Sequence, residues 1–151
     1  MSTNIGSTHA APATAQPTPM AVARILTPNA LEWVPDLIDP RRTAARLFGD
    51  PTEPGPYTIR YHAPAGYAMA LHVHPQDDEQ LTVLSGTITY STGEAGSGAP
   101  EREIGAGGFV LTPAGTLHRI AAVSDAVIQM SGVGPHVYVY PEKKAGTQMK
   151  H

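Results

Sequence analysis

The stretch GYAMALHVHPQDDEQLTVLSG, residues 66–86, sets two histidines two apart and follows them with a run of acids. Side chains alternate faces along an extended chain, so residues i and i+2 share a face. His72 and His74 therefore point the same way, with Val73 opposite. Two imidazoles so placed can converge on one ion at about 2.0–2.2 Å each. Pro75 and a Gln76-Asp77-Asp78 turn follow, and Glu79 opens the returning strand beside the histidines. From Glu79 the shared face continues through Leu81 and Val83, both apolar. An acid on an apolar face needs a counter-charge, which a divalent cation supplies. Alone, the His-x-His pair reads better as a solvated hairpin with two surface imidazoles. The acid at the hairpin return and its apolar flanks turn the balance toward a metal.

The rest of the chain reads as short strands. VARILT, YTIRYHA, YAMALHVH, EQLTVLS, GTITYS, GGFVLTP, TLHRIAA, AVIQMSG and HVYVY are each rich in Val, Ile, Thr or Tyr and bounded by Gly, Pro or Asp. RRTAARLFGD fits a strand ending in a Gly49-Asp50 turn better than a helical turn. NALEWVPDLI carries Trp33, expected as an anchor under the barrel. Strands at about ten-residue spacing with turn signals between them indicate an all-β sandwich or barrel. The domain is expected over residues 21–142. Residues 1–20 are rich in Ala, Thr and Pro and hold no Lys, Arg, Asp or Glu, so they read as a flexible tail, as do residues 143–151. STGEAGSGAPE reads as a mobile loop.

Composition narrows the function. The 151 residues carry a net charge of −3, with 41% hydrophobic and 15% charged residues. No basic excess awaits a phosphate backbone and no polybasic run awaits anionic lipid, so neither nucleic acid nor a membrane surface is expected as a partner. The absence of cysteine excludes disulfides, thiolate nucleophiles and zinc–thiolate sites, and fits a reducing cytoplasm. No apolar run approaches the ~20 residues of a spanning helix.

A second segment, GGFVLTPAGTLH at residues 107–118, places a tight Pro113-Ala114-Gly115 turn ahead of His118. Thr116, His118 and Ile120 share a face. Together the two segments resemble the motifs of the cupin family. The first motif is matched by Gly66, His72, His74, Glu79 and Gly86, the second by Gly107, Pro113, Gly115 and His118, nine spaced residues in all. Ala122 stands where the family usually has an Asn that is not a metal ligand. The resemblance implies a single jelly-roll-like double-stranded β-helix, and one divalent metal held by His72, His74, Glu79 and His118. Three imidazoles and a carboxylate suit Fe, Mn, Ni, Co or Zn better than Mg or Ca. It also allows a homodimer.

The expected function is a metal-dependent cupin acting on a small organic molecule, with dioxygenase-type oxidoreductase chemistry. The alternatives are a redox-neutral isomerase, lyase or cyclase, and a non-catalytic sensor or ligand-binding cupin. Met69 stands near the metal where oxalate-degrading cupins commonly carry Arg or Asn. A thioether there points away from oxalate and toward an apolar substrate-binding wall, or toward plain core packing. Arg60 and His62 alternate with Tyr57, Ile59 and Tyr61 and are expected to face solvent. Asp77 and Asp78 are expected exposed in their turn, and His136 on an edge strand or aromatic interface.

A chain without residues 1–20 is expected to melt within about 2 °C of the full chain and to keep its metal content, because that segment has little to bury. A fall of many degrees in a thermal scan would show that the segment docks.

Overall fold

The computed structural model of the protein describes Gly6, residues 22–93 and residues 100–141. Most of the expected N-terminal tail, the C-terminal tail and the heart of the STGEAGSGAPE loop lie outside the described residues. Among the described residues nine strands follow in order: β1 (Val34–Pro35), β2 (Thr43–Phe48), β3 (Gly55–Ala63), β4 (Glu79–Ser85), β5 (Thr87–Thr92), β6 (Arg102–Gly105), β7 (Phe109–Thr112), β8 (His118–Ala122) and β9 (Ala126–Gly134). They form a six-stranded sheet, β1-β2-β3-β9-β4-β7, and a three-stranded sheet, β6-β5-β8. Every pairing is antiparallel.

Alternation builds the core. Along β3, Tyr57, Ile59, Tyr61 and Ala63 are buried, while Thr58, Arg60 and His62 between them are half-buried on the outer face. Ile59 and Tyr61 lie opposite Met130 and Ile128 of β9. Leu81 and Val83 come from β4, and Ile88, Ile120 and Ala122 from the small sheet, all in one apolar cluster. Ala122, in the family's Asn position, is simply core: its N–H donates to Tyr67 O at 2.7 Å.

β4 and β5 do not form a hairpin with each other; the chain crosses from one sheet to the other at Gly86. Gly86 has φ +76°, and a Cβ there would lie 2.1 Å from the Asp125 carbonyl oxygen. A left-handed backbone pressed against another chain segment admits no side chain.

The structure departs from the expectations in several places, and β6 is a strand that none of them named. VARILT forms no strand, and a 3-10 turn at Pro28–Ala30 follows it. Trp33 is no buried anchor, being 39% exposed beside the short edge strand β1. YAMALHVH is joined to the small sheet by single bridges, Ala68 to Ala121 and His72 to His118, and to HVYVY by a bridge from Val73 to Val139. The Gly and Pro residues flanking them interrupt the ladder, yet the bridges preserve the inward phase of His72 and His74. Tyr67, Met69, His72 and His74 are all buried.

Gly86→Ala is expected to destabilise the fold by at least about 2 kcal/mol through backbone strain and steric conflict. Gly105→Ala, where a Cβ meets nothing within 4 Å, is the matched control and should stay within about 0.5 kcal/mol. Urea midpoints at constant slope distinguish the two. Equal midpoints would contradict the tight crossing at Gly86.

Candidate metal centre

Three separate parts of the chain bring four side chains to one point. His72 and His74 come from the bridged segment before Pro75, Glu79 is the first residue of β4, and His118 is the first residue of β8. The His72–His118 bridge, with N–H···O bonds of 3.0 and 2.9 Å in the two directions, sets those two rings beside each other. Pairing of Glu79 with Thr112 fixes the carboxylate at the start of β4. All four residues are buried, and one ligand atom from each lies within 4.8 Å of all the others.

Each histidine of this group is oriented by a backbone carbonyl. Nδ1 of His72 lies 2.7 Å from Ala70 O, that of His74 2.9 Å from Val137 O, and that of His118 2.8 Å from Thr116 O. A carbonyl only accepts, so each Nδ1 carries the proton and each neutral ring turns an Nε2 lone pair inward. Those three Nε2 atoms and both Glu79 oxygens are buried without a hydrogen-bond partner. His74 Nε2 stands 2.8 Å from Glu79 Oε2, and His118 Nε2 3.7 Å from Glu79 Oε1. Acceptors facing acceptors at this range are stable only with a proton or a cation between them. The donor set therefore fits a transition metal, with the carbonyl-anchored tautomers that metal-binding imidazoles use.

Electrostatics agree with that fit. Burial raises the Glu79 carboxyl, and the His118 and His74 imidazoles, when they turn a proton toward it, lower it by more, so the net direction is downward. Burial lowers the His72 imidazole to about 4; the bond to Ala70 O opposes this, and His118 and His74 add to it.

Beside the four ligands stands a fifth polar group that alternation did not find. Asp77, expected in solvent, is buried. Its Oδ2 accepts from the Tyr57 hydroxyl at 2.6 Å and lies 2.6 Å from His136 Nδ1, and its Oδ1 accepts from the Val133 N–H at 2.9 Å. His136, expected on an edge or interface, turns inward and stacks on His74 with ring centroids 3.9 Å apart. The signal for His136 was the HVYVY alternation, which carries His136, Tyr138 and Tyr140 on one phase. Asp78 is exposed as expected, and its Oδ1 accepts from the Ala114 N–H in the Pro113–Gly115 turn.

A cavity of about 640 Å³ lies alongside, walled by Val34, Leu37, Ile38, Ile59 and Tyr61 among others. None of the four candidate ligands lines it; His136 and Tyr138 do, and both rings also pack against His74. Met69 is buried in the apolar core rather than along this cavity, with its Sδ 3.5 Å from Arg42 Nη1.

The family model for the cupin domain matches residues 60–133. With the fold and the nine motif residues, this match identifies the chain as a member of the cupin superfamily. Among curated proteins, none matches the chain in sequence. Solved structures share the fold. KdgF from Halomonas sp. is 17% identical with a TM-score of 0.58, over 71% of this chain and 91% of that one. A conserved protein with a double-stranded beta-helix domain from Klebsiella pneumoniae is 21% identical with a TM-score of 0.56, over 68% and 86%. Lactobacillus farciminis oxalate decarboxylase, in its formate complex, is 15% identical with a TM-score of 0.55, over 71% of this chain and 31% of that one. Identities this low carry the fold alone. Among the described residues, no helix is long and apolar enough to cross a membrane.

The lowered His72 imidazole yields a pH prediction for metal-free protein. The folded state resists a proton that the unfolded chain takes up near 6.5, so the associated stability is present above pH 6.5 and is lost as pH falls toward 4. The full effect is roughly 3 kcal/mol. Urea midpoints of chelator-treated protein between pH 7 and 4 should fall accordingly. A His72→Gln variant should show a shallower fall, and an equally steep one would assign the loss to other groups.

Proposed function

We propose that the chain binds one divalent transition metal through His72, His74, Glu79 and His118 and acts on a small organic molecule held at that metal, as a dioxygenase-type oxidoreductase. One observation carries the metal: a buried imidazole lone pair and a buried carboxylate oxygen, 2.8 Å apart, with no donor between them. Such a donor set takes Fe, Mn, Ni, Co or Zn. When bound, an ion of this group supplies Lewis acidity and, for iron or manganese, one-electron chemistry with dioxygen. The chain does the rest. Ala70, Val137 and Thr116 carbonyls hold the imidazoles in one tautomer. The apolar surroundings, Met69 included, keep bulk water from the ligands, and the adjoining cavity accommodates the body of a small molecule. A thioether at Met69, where oxalate-degrading cupins carry Arg or Asn, speaks against oxalate. A cytoplasmic setting and a homodimer belong to the same proposal.

A redox-neutral isomerase, lyase or cyclase is the second reading. It is favoured by the Asp77–His136 pair, a hydrogen-bonded polar group beside the ligands that an electron-transfer role does not require. A non-catalytic binding role predicts ligand affinity without turnover.

Metal analysis of protein purified without an affinity tag should find about one divalent ion per chain, and oxygen uptake with candidate substrates separates the first reading from the second. His74→Ala should remove the ion at micromolar metal. Glu79→Gln keeps one acceptor oxygen and loses the charge, so it should retain part of the metal and lose activity further than occupancy. Asp78→Asn should change neither. Full metal content in a His74→Ala, His118→Ala double variant would overturn the site, and a silent Glu79→Gln beside a damaging Asp78→Asn would move the carboxylate by one residue.

A further inference from the structure

The His136 ring is fixed by more contacts than a packing residue needs. Its side chain is 3% exposed, and Nδ1 is tied to Asp77 Oδ2 at 2.6 Å with the Tyr57 hydroxyl 2.8 Å away. Asp77 is itself held by Tyr57 and by the Val133 N–H, so it stays a fixed acceptor. The arrangement is possible only because residue 132 is glycine. A Cβ there would stand 2.4 Å from Asp77 Oδ1 and 2.7 Å from the Tyr57 hydroxyl. With Nδ1–H donating to the Asp77 carboxylate, the other nitrogen of the neutral ring is an acceptor. That Nε2 is buried, has no partner, and lies 3.7 Å from Glu79 Oε2. It falls outside the group of atoms within 4.8 Å of one another, so it faces the metal centre without completing it. The same ring lines the adjoining cavity.

An unpartnered buried acceptor at the border of a metal centre and a cavity asks for a donor on whatever occupies both. We propose that His136 determines specificity: its Nε2 accepts a hydrogen bond from a hydroxyl of the molecule bound at the metal, so the site selects α-hydroxy carboxylates and related α-hydroxy carbonyl compounds with an apolar body. The carbonyl-side oxygens meet the metal, whose +2 charge is reduced by Glu79 alone and so still favours an anion. The hydroxyl proton meets His136, and the apolar body meets Leu37, Ile38, Ile59 and Tyr61. The inference rests on the proposed metal site, because the molecule is held between that ion and this ring.

The test uses the full chain loaded with Co(II), whose visible spectrum reports ligand binding without any turnover. The probes are mandelate and O-methylmandelate, which share charge, aryl body and donor oxygens but differ in the hydroxyl proton. The ratio of their dissociation constants is compared with the same ratio for free Co(II) in water. In wild-type protein the preference for mandelate should exceed that of the free ion by about tenfold, the usual reach of one buried hydrogen bond. His136→Phe keeps the ring, its bulk and its stacking on His74 but has no acceptor, and should return the ratio to that of the free ion. His136→Gln offers a carboxamide oxygen and should restore part of the preference. A steric origin predicts that His136→Phe keeps the preference, and that result overturns the proposal. So does a wild-type ratio equal to that of free Co(II), a comparison that needs no variant to fold, and so does binding of neither probe. Failure to take up Co(II), seen before any probe is added, overturns the metal site itself and the inference with it.

Discussion

Four acceptor groups are forced together at the centre of this protein with nothing of the protein's own between them. The Nε2 atoms of His72, His74 and His118 and the Glu79 carboxylate are buried and unpartnered. Left alone, lone pairs at this separation repel, and a buried carboxylate without a counter-charge is costly. The fold nevertheless commits three backbone carbonyls to holding the rings in that orientation. It also commits two strand starts, at Glu79 and His118, and the two reciprocal hydrogen bonds between His72 and His118. A cation turns the same geometry from a strain into an attraction. The buried cluster therefore suggests a metal site, with the strand pairing as the means of bringing its four side chains together.

Alternation records only whether a residue faces in or out, and that was enough to turn His72, His74, Glu79 and His118 inward. His72 and His74 share a phase, Glu79 continues into Leu81 and Val83, and His118 shares its phase with Ile120, all buried. The same rule placed Tyr57, Ile59 and Tyr61 inward and Arg60 and His62 outward. It failed at Asp77, because the local signal of a turn is solvation. What buries Asp77 comes from far away: Tyr57, Val133 and His136 lie 20, 56 and 59 residues distant. It failed at Val22–Thr27 because a Val- and Ile-containing run has strand propensity but no way of announcing a pairing partner. Trp33 was placed inside on size alone, while the short strand beside it lies at the sheet edge.

Arg42 shows a second kind of illegible residue. Nothing in PRRTAARLF marks one arginine of the pair as internal, yet Arg42 is 1% exposed and Arg41 lies at the surface. Its guanidinium pairs with Asp36, sits 3.8 Å over the Tyr61 ring and donates to the Tyr138 hydroxyl at 3.1 Å. Arginine tolerates such a place because its planar charge is satisfied by a carboxylate, a ring face and a hydroxyl together. The consequence reaches the metal centre. Tyr138 packs edge-on against His74 with centroids 4.8 Å apart and lies 5.1 Å from His72. A buried ion pair between β1 and β2 thus fixes a wall that the His72 and His74 imidazoles lean on.

The segment after β9 draws these parts together. It has little regular structure, yet its Val137 carbonyl orients His74, its Val139 bridges Val73, and its His136 and Tyr138 line the cavity while packing on His74. Each attachment is to a different functional part: the ligand tautomer, the ligand-bearing segment, the Asp77 pair and the Arg42 network. A continuous strand could not make all four, since its backbone groups would be taken by ladder bonds and its side chains would be limited to two faces. Departure from the ladder after Gly134 frees a carbonyl for a ring nitrogen. It also lets an imidazole and a phenol stand side by side between the cavity and the ion. Irregular chain at this edge of the fold is what lets one ring, His136, touch both the His74 imidazole of the candidate metal centre and the cavity.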